Sequence, residues 1–263
     1  MKVSVLQLDV VLGDRQANFE KAEKKITEAM AEKVDVIVLP ELWDVGFFPS
    51  NVLELGDPQG AMAQEFLSSQ AKKYQVNIVG GSIVKEIDGK IFNTLYVFDR
   101  QGQMIAEYDK VHSFSPSGEH EVFQPGDHIS LFELDGVKMG AVICYDIRFG
   151  ELVRMVALAG AQVLFAPAAW PHPRLNHWRL LGQVRAIENQ FFVVAVNHSG
   201  TANALNFCGH SQIVDPWGEV IAEAGEEEEI LTGDVDFSVI QDIRERINVF
   251  RDRRPDFYKI NIR

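Results

Sequence analysis

The sequence contains few cysteines and lacks any long apolar run. Its two cysteines, Cys144 and Cys208, stand far apart in unrelated patterns, which excludes a disulfide framework and a Cys-x-x-Cys zinc site. No apolar stretch approaches the roughly 20 residues of a membrane-spanning helix. The first residues form an alternating strand pattern, so we expect neither a signal peptide nor a membrane segment there. These absences favour a cytoplasmic protein in a reducing compartment.

Positive charge is also scarce. Lysine and arginine together number 25 against 38 aspartates and glutamates, which gives a formal net charge of −13. This balance disfavours a nucleic-acid backbone or an anionic membrane surface as a partner. The 20 glycines and 10 prolines are scattered, so no linker or low-complexity segment divides the chain. With 46% hydrophobic residues, we expect a single domain, residues 1–263, with a full core.

The first half of the chain predicts alternating strands and helices. Its apolar patterns predict strands at residues 2–10, 35–40, 76–84, 90–98 and 104–108, and amphipathic helices at 18–32 and 59–74. The last two strands form a hairpin around the Asp-Arg-Gln-Gly sequence at 99–102. A strand, a helix and a second strand that is apolar on both faces indicate a parallel sheet covered by helices.

The second half repeats this scheme. Strands are predicted at 130–134, 138–144, 163–166, 192–197, 211–214, 220–224 and 231–235, and helices at 149–159, 176–190 and 237–246. Four apolar residues line one side of the helix 176–190, namely Leu180, Leu181, Val184 and Ile187. Residues 249–263 are basic and aromatic without periodicity, and such an irregular tail often packs on another subunit.

Three chemically active side chains stand at the ends of predicted strands. Glu41 follows the strand 35–40, Lys110 follows the strand 104–108, and Cys144 ends the strand 138–144. In open α/β sheets the functional residues lie beyond the carboxyl ends of the strands. We therefore expect one carboxylate, one ammonium and one thiol to meet at a single site.

These three groups suit nucleophilic catalysis. A thiol with a pKa of about 8.5 is mostly un-ionised at neutral pH and needs a base or a cation to become a nucleophile. Glu41 can accept the Cys144 proton, and Lys110 can stabilise the oxyanion that forms when sulfur attacks a carbonyl or nitrile carbon. The backbone N–H of Tyr145 would join that oxyanion hole, because the chain turns there from a strand into a helix.

Other interpretations of the same residues remain open. An isolated cysteine is more often a small buried hydrophobe than a nucleophile, and Cys144 could also be a redox-sensing thiol. Glu41 could be a helix-start acid and Lys110 a surface lysine. A cysteine–histidine dyad and a metal site are disfavoured, because no histidine stands at a position that the strand-end rule selects and no His-x-x-x-His spacing occurs. The histidines are His112, His120, His128, His172, His177, His198 and His210.

The motifs around the three residues resemble the signatures of a known family. Pro-Glu-Leu-Trp at 40–43, Asp-Lys-Val-His-Ser-Phe at 109–114 and Cys-Tyr-Asp-Ile-Arg-Phe at 144–149 resemble, in order and spacing, the motifs of the nitrilase superfamily of carbon–nitrogen hydrolases. The resemblance implies an α/β fold, a four-layer α-β-β-α sandwich of two packed sheets flanked by helices. It also implies a catalytic triad of Glu41, Lys110 and Cys144 that uses no cofactor and no metal. A homodimer with the tail 246–263 at the subunit interface is implied as well.

The resemblance assigns a role to a second glutamate. In the family this residue precedes a phenylalanine and a Pro-Gly pair, and here the sequence Glu-His-Glu-Val-Phe-Gln-Pro-Gly occupies 119–126. Spacing to the Pro-Gly pair favours Glu119, with Glu121 as the alternative. The implied role of Glu119 is to position Lys110 or the substrate amide.

Within the superfamily the chain resembles the ω-amidases, which act on 2-oxo acid amides such as 2-oxoglutaramate. The similar stretches are Ala-Ala-Trp-Pro at 168–171, Arg-Leu-Asn-His-Trp-Arg at 174–179 and Arg-Ala-Ile-Glu-Asn-Gln at 185–190. A substrate with a free carboxylate needs a cation opposite its reactive end, and Arg148 could supply a bidentate clamp. Alternatively, Arg148 forms a salt bridge to Asp146 or Glu151.

Aromatic residues near the motifs predict the walls of a small pocket, namely Phe47, Phe48, Phe114 and Trp170. The expected partners are a small-molecule amide and water, which react through a thioester. Two departures from the family pattern leave the branch open: Gly150 replaces a common proline, and Ser113-Phe114 replaces Leu-Phe. The alternatives are an N-carbamoyl amino acid amidohydrolase, an aliphatic amidase or a non-catalytic binding protein on the same fold.

Overall fold

The computed structural model describes residues 1–258, so the last five residues of the predicted tail, 259–263, lie outside the described residues. Strands and helices follow the predicted order in the first half. The strands are β1 (Lys2–Asp9), β2 (Val36–Val38), β3 (Asp57–Pro58), β4 (Asn77–Ile87), β5 (Lys90–Phe98) and β6 (Met104–Asp109). The helices are α1 (Arg15–Ala29), α2 (Ala61–Tyr74) and the single turn α3 (Glu119–Val122).

The second half adds a further set of strands and three longer helices. The strands are β7 (Ser130–Leu134), β8 (Val137–Ala141), β9 (Val163–Pro167), β10 (Phe192–Val196), β11 (His198–Ser199), β12 (Thr201–Ala202), β13 (Leu205–Asn206), β14 (Gln212–Val214), β15 (Val220–Glu223) and β16 (Glu229–Asp234). The helices are α4 (Gly150–Leu158), α5 (Leu175–Asn189) and α6 (Ser238–Arg246).

The strands form two mixed sheets and a separate two-stranded antiparallel pair, β12-β13. The first sheet has eight strands in the order β11-β1-β2-β4-β5-β6, with β16 paired to β1 and β3 paired to β4. The second sheet has six strands in the order β15-β14-β10-β9-β8-β7. The central pairs β1-β2 and β2-β4 are parallel, as the β-α-β pattern predicts, and so are β8-β9 and β9-β10. The predicted hairpin is the antiparallel pair β5-β6.

The two sheets pack face to face, with helices outside them. In β1, Val3 and Val5 belong to the core between the sheets, whereas Leu6 and Leu8 pack with the buried sides of α1 and α2. This alternation follows from the two-residue period of a strand, and it explains why β1 and β2 are apolar on both faces. Helices α4 and α5 cover the outer face of the second sheet. The predicted α-β-β-α sandwich is therefore confirmed.

Three of the four residues on the predicted apolar side of α5 lie on the surface, whereas Leu181 packs against the core. Leu180, Val184 and Ile187 are 57%, 43% and 50% exposed, because α5 buries Trp178 and Ala186 on its opposite side against the second sheet. Within residues 1–258, none of the helices combines the length and the apolar character needed to cross a bilayer.

The boundary between β8 and α4 differs from the prediction. The strand ends at Ala141, and a 3-10 helical turn, Cys144–Arg148, precedes α4. Arg148 therefore lies in a tight turn that follows the sheet, and the long helix begins only at Gly150.

Candidate active site

Cys144 begins the tight turn that follows β8. Its backbone is left-handed, with φ of 46°, a conformation that few residues other than glycine adopt. The Asp146 carboxylate accepts a hydrogen bond from the Ile143 N–H at 3.1 Å, and the Asp146 N–H donates to the Ile143 carbonyl at 3.0 Å. These two bonds fix the strained turn, so the thiol has a defined position at the end of the strand.

Asp146 also ties this turn to the strand that carries Lys110. Its carboxylate accepts hydrogen bonds from the Tyr108 hydroxyl and the His112 N–H, both at 2.8 Å, and lies 2.8 Å from His112 Nδ1. Burial, followed by the Asp146 charge, raises the pKa of Tyr108, so its hydroxyl stays protonated and donates. Because Tyr108 and His112 flank Lys110 in sequence, Asp146 fixes the position of the lysine relative to the cysteine.

Glu41 and Lys110 form a buried ion pair at the end of β2 and β6. The side chains are 0% and 2% exposed, and Lys110 Nζ lies 2.7 Å from Glu41 Oε1. The other carboxylate oxygen, Oε2, accepts a hydrogen bond from the Ala169 N–H at 2.9 Å. The Glu41 and Lys110 charges and the Ala169 N–H all act on the pKa of the Cys144 thiol, and Cys144 and Ala169 line the same cavity. The structure thus brings the thiol, the carboxylate and the ammonium together.

Glu119 completes the charged cluster. Lys110 Nζ donates to Glu119 Oε1 at 2.8 Å and to Oε2 at 2.9 Å, and the Phe114 N–H donates to Oε2 at 2.6 Å. Glu119 is fully buried, whereas the side chain of Glu121 is 74% exposed. The structure therefore places Glu119, and not Glu121, against the lysine.

Burial and charge set the protonation of the lysine and the thiol. Burial disfavours the charged form of Lys110, but the carboxylates of Glu41 and Glu119 outweigh it and raise the lysine pKa well above its usual value. For Cys144, burial and then the Glu41 charge raise the thiol pKa well above its usual range, and Lys110 opposes this rise only in part. The resting site therefore holds an ammonium and a neutral thiol.

The backbone of Tyr145 offers a hydrogen-bond donor beside the thiol. Among the described residues, no protein acceptor is hydrogen-bonded to the Tyr145 N–H. The turn places this group immediately after Cys144, where an oxyanion would form on a carbon attacked by the sulfur.

The thiol opens into a cavity of about 290 Å³. Its lining includes the predicted Phe47, Phe114, Tyr145 and Trp170. The other lining residues are Pro116, Ser117, Cys144, Arg148, Ala169, Pro171, Arg174 and Leu205. Phe48, which the sequence also suggested, packs between Phe47 and Phe123 and does not line the cavity.

Two arginines place positive charge in this cavity. The Arg148 guanidinium lies 4.6 Å from the centre of the Trp170 ring, and the Arg174 guanidinium lies 5.5 Å from that of Phe114. Neither arginine forms a salt bridge within residues 1–258. The alternative salt bridge between Arg148 and Asp146 is wrong, because the Asp146 carboxylate is hydrogen-bonded to Tyr108 and His112 instead. Within residues 1–258, Arg148 does not pair with Glu151 either.

Within residues 1–258, no acidic side chain neutralises the positive charge in the cavity. Burial, together with the nearby Arg174 charge, lowers the pKa of Arg148. Arg148 Nη2 instead lies 3.3 Å from His177 Nδ1. Two neighbouring guanidinium groups without an acidic partner among the described residues suit the binding of an anionic group such as a carboxylate.

One expectation about the histidines is wrong. His198 lies two residues beyond the end of β10, as the first residue of β11, and its Nε2–H donates to the backbone carbonyl of Glu41. Burial lowers the pKa of His198 to about 4, so it is neutral at physiological pH. His198 thus supports the glutamate through its main chain. No histidine lines the cavity, and no cluster of metal-ligating side chains occurs in the part of the chain that the structure describes.

Sequence reasoning missed Arg174 and the Ala169 N–H. Both lie in stretches that carry the ω-amidase resemblance, but no strand-end position or motif spacing singles them out. Gly150, the departure from the family proline, faces Arg185: a Cβ at this position would lie 3.3 Å from the guanidinium. Arg185 in turn donates to the carbonyls of Ile147 and Arg148 at 2.7 and 2.9 Å, which closes the end of the turn.

Comparison with known proteins identifies the family of the chain. Residues 2–245 match the family model described as carbon-nitrogen hydrolase. The chain is 46% identical to the 2-oxoglutaramate amidase of Bacillus subtilis, with 97% of this chain and 98% of the relative covered. It is 36% identical to an omega-amidase of Xenopus tropicalis, with 94% and 92% covered. The crystal structure of Saccharomyces cerevisiae Nit3, a member of branch 10 of the nitrilase superfamily, superposes with a TM-score of 0.91 at 30% identity, with 98% and 97% covered.

Proposed function

The chain belongs to the carbon–nitrogen hydrolase family, and from that membership we propose that it hydrolyses the ω-amide of a small 2-oxo acid to the acid and ammonia. 2-Oxoglutaramate, the substrate in the name of the Bacillus subtilis relative, is the first candidate. One observation carries the proposal. The Cys144 thiol lies against the Glu41–Lys110 ion pair, in the wall of a cavity that also holds two guanidinium groups.

Acylation begins when the Cys144 sulfur attacks the amide carbon. The thiol is neutral in the resting site, so its proton passes to Glu41 as the carbon–sulfur bond forms. The carbonyl oxygen becomes an oxyanion, which Lys110 and the Tyr145 N–H stabilise. The carbon–nitrogen bond then breaks, and the nitrogen takes the proton from Glu41 and leaves as ammonia.

Deacylation uses the same groups in a second cycle. Glu41 takes a proton from water, and the water oxygen attacks the thioester carbon that Cys144 carries. The oxyanion again forms beside Lys110, the carbon–sulfur bond breaks, and the proton on Glu41 returns to sulfur. The net reaction converts an amide and water into a carboxylic acid and ammonia, and it requires no cofactor.

Glu119 acts on Lys110 in this scheme. Both of its oxygens accept hydrogen bonds from Nζ, and the Phe114 N–H fixes the carboxylate in turn. The lysine is therefore held in one place and remains charged through both half-reactions.

The two arginines favour a substrate with a carboxylate at the end opposite the amide. Arg148 and Arg174 carry the only guanidinium groups that line the cavity in the described part of the chain. The aromatic rings of Trp170 and Phe114 lie against the Arg148 and Arg174 guanidinium groups, respectively. A simple aliphatic amide would leave both charges without a partner, which disfavours an aliphatic amidase.

A panel of amides tests this proposal. We expect ammonia release to be fastest, by kcat/KM, from 2-oxoglutaramate when it is compared with succinamate, glutamine, a simple nitrile and an N-carbamoyl amino acid. Preference for an N-carbamoyl amino acid or a simple amide would contradict the substrate assignment. Absence of turnover of every compound would contradict hydrolase function and favour a non-catalytic binding protein.

The protein is also proposed to act as a homodimer. Helix α5 presents Leu180, Val184 and Ile187 to the surface, and α4 presents Met155 and Leu158, which are 54% and 45% exposed. This surface is here called the α4–α5 face. An apolar face of this kind on two adjacent helices suits a self-complementary interface with a second copy, with the tail 246–263 at its edge. We further propose that the protein is cytoplasmic and that residues 1–263 form a single catalytic domain.

A further inference from the structure

Asn93 contacts all three charged residues of the site. It lies in β5, is 1% exposed, and its Nδ2 donates to Glu41 Oε1 at 2.9 Å and to Glu119 Oε1 at 3.3 Å. Its backbone carbonyl accepts the hydrogen bond of the Lys110 N–H at 2.9 Å. One neutral residue therefore connects the side chains of both glutamates and the main chain of the lysine.

Chemistry fixes the orientation of the Asn93 amide. An ionised carboxylate only accepts hydrogen bonds, so the NH₂ group and not the oxygen must face the two glutamates. Asn93 Oδ1 is buried and forms no hydrogen bond within residues 1–258. Every hydrogen bond of this side chain therefore goes to the two carboxylates.

The cluster needs such a donor because its charges do not balance. Two carboxylates face one ammonium, and the Glu41 and Glu119 Oε1 atoms both lie within 2.8 Å of Lys110 Nζ. Like charges this close favour protonation of one carboxylate, and a protonated Glu41 could not accept the thiol proton. Two N–H groups directed at the two Oε1 atoms oppose this protonation without adding charge.

We propose that Asn93 is a positioning residue of the catalytic site, which keeps Glu41 and Glu119 ionised together and so leaves Glu41 able to accept the Cys144 proton. This inference rests on the proposed function. Asn93 does not line the cavity, so its effect is on catalysis and not on substrate binding.

Asn93→Asp and Asn93→Leu test the inference. Either change removes both donors, and Asn93→Asp adds a third carboxylate. We expect kcat for 2-oxoglutaramate to fall about 10- to 100-fold with KM nearly unchanged, because part of the general-base contribution is lost. The acidic limb of the pH–rate profile should move up by about one pH unit or more. Asn93→Ser keeps one donor and should give an intermediate shift.

Asn77 provides a matched control. It is also 1% exposed, lies in the neighbouring strand β4, and donates to the Asp135 carboxylate at 2.8 Å, away from the cavity. Asn77→Asp should lower the free energy of unfolding but leave kcat and the acidic limb at wild-type values.

Alkylation of Cys144 by iodoacetamide, followed by intact mass against pH, gives a second readout that needs no substrate. If the wild-type protein hydrolyses no amide, the proposed function fails, yet this alkylation profile still tests Asn93. We expect the acidic limb of alkylation to move up in Asn93→Asp, Asn93→Leu and Asn93→Ser. Folded Asn93 variants with wild-type kcat, or with a wild-type alkylation profile, would overturn the inference.

Discussion

Lys110 Nζ lies 2.7 Å from Glu41 Oε1, and the two side chains are only 2% and 0% exposed to solvent. A buried ion pair is costly to desolvate, and it persists here because Glu119 adds a second carboxylate at 2.8 Å. The pair lies against the Cys144 thiol, so the same contact that neutralises the lysine also holds the proton acceptor in place. In the proposed mechanism, stability and catalysis therefore depend on the same three side chains.

Lys110→Met should abolish amide hydrolysis and destabilise the fold. The change leaves the Glu41 and Glu119 carboxylates facing each other without a cation, so we expect the free energy of unfolding to fall by about 3–5 kcal/mol. Urea denaturation at pH 7 measures this loss.

Lys85→Met is the control for this change. Lys85 is also buried and pairs with Glu107 at 2.6 Å and Asp109 at 2.9 Å, outside the cavity. The Lys85→Met variant should be less stable than the wild-type protein but should hydrolyse the amide at close to the wild-type rate. A folded Lys110→Met variant with wild-type turnover would contradict the role of the lysine.

Arg174→Met and Arg148→Met should weaken recognition of the substrate carboxylate. A hydrogen bond to a charged group contributes about 1.5–3 kcal/mol, so kcat/KM for 2-oxoglutaramate should fall roughly 10- to 100-fold, mainly through KM. Turnover of a simple aliphatic amide serves as the control and should change little. Equal losses for both substrates would indicate a structural role for the arginines.

His198 makes the stability depend on pH in a defined window. Its pKa falls from about 6.5 in the unfolded chain to about 4 in the fold because it is buried. The contribution to stability is complete above about pH 6.5 and is lost as the pH falls through the folded value, since only the unfolded chain binds the proton. At pH 5 the loss amounts to about 2 kcal/mol, and His198→Gln should remove it.

Asp44 acts in the opposite direction over the same range. Burial raises the pKa of Asp44 to about 6, despite the Arg15 guanidinium at 3.0 Å. The folded protein therefore gains stability from Asp44 as the pH falls below that value, because the folded state binds the proton more tightly than the unfolded chain. The comparison of wild-type protein with His198→Gln by urea denaturation at pH 7 and pH 5 isolates the histidine. An identical decrease in both proteins would contradict the assignment.

Val184→Glu should dissociate the proposed homodimer. The substitution places a charge on each copy at the α4–α5 face, where Val184 is 43% exposed. Light scattering at micromolar concentration should give twice the chain mass of 29.5 kDa for the wild-type protein and the chain mass for the variant. Leu131→Glu, at an exposed leucine of β7, should remain dimeric. A monomeric wild-type protein would contradict the proposal.

The family, the fold and the principal residues of the site could be predicted from sequence for a physical reason. Glu41, Lys110 and Cys144 each stand at the end of a strand, and the sheet brings strand ends together. The flanking motifs then led to the superfamily, which the comparisons confirm. These features are local in sequence, so periodicity and motif spacing are sufficient to find them.

Other features depend on contacts between distant segments. In the sequence, nothing distinguishes Asn93 from other strand residues. Only the folded hairpin places its amide between two glutamates. Arg174 joins Arg148 because α5 begins beside the cavity mouth. The sequence shows the apolar side of α5 but does not indicate its buried side, which is formed by Trp178 and small or polar residues.

Ammonia release from 2-oxoglutaramate by Cys144→Ala tests the central claim most directly. The substitution removes the nucleophile but fills a buried position with a small apolar side chain, so circular dichroism should show an unchanged fold. We predict a loss of activity of at least about 10³-fold relative to wild type, because no thioester can form. Wild-type release of ammonia by the folded variant would contradict the assignment of Cys144 as the nucleophile.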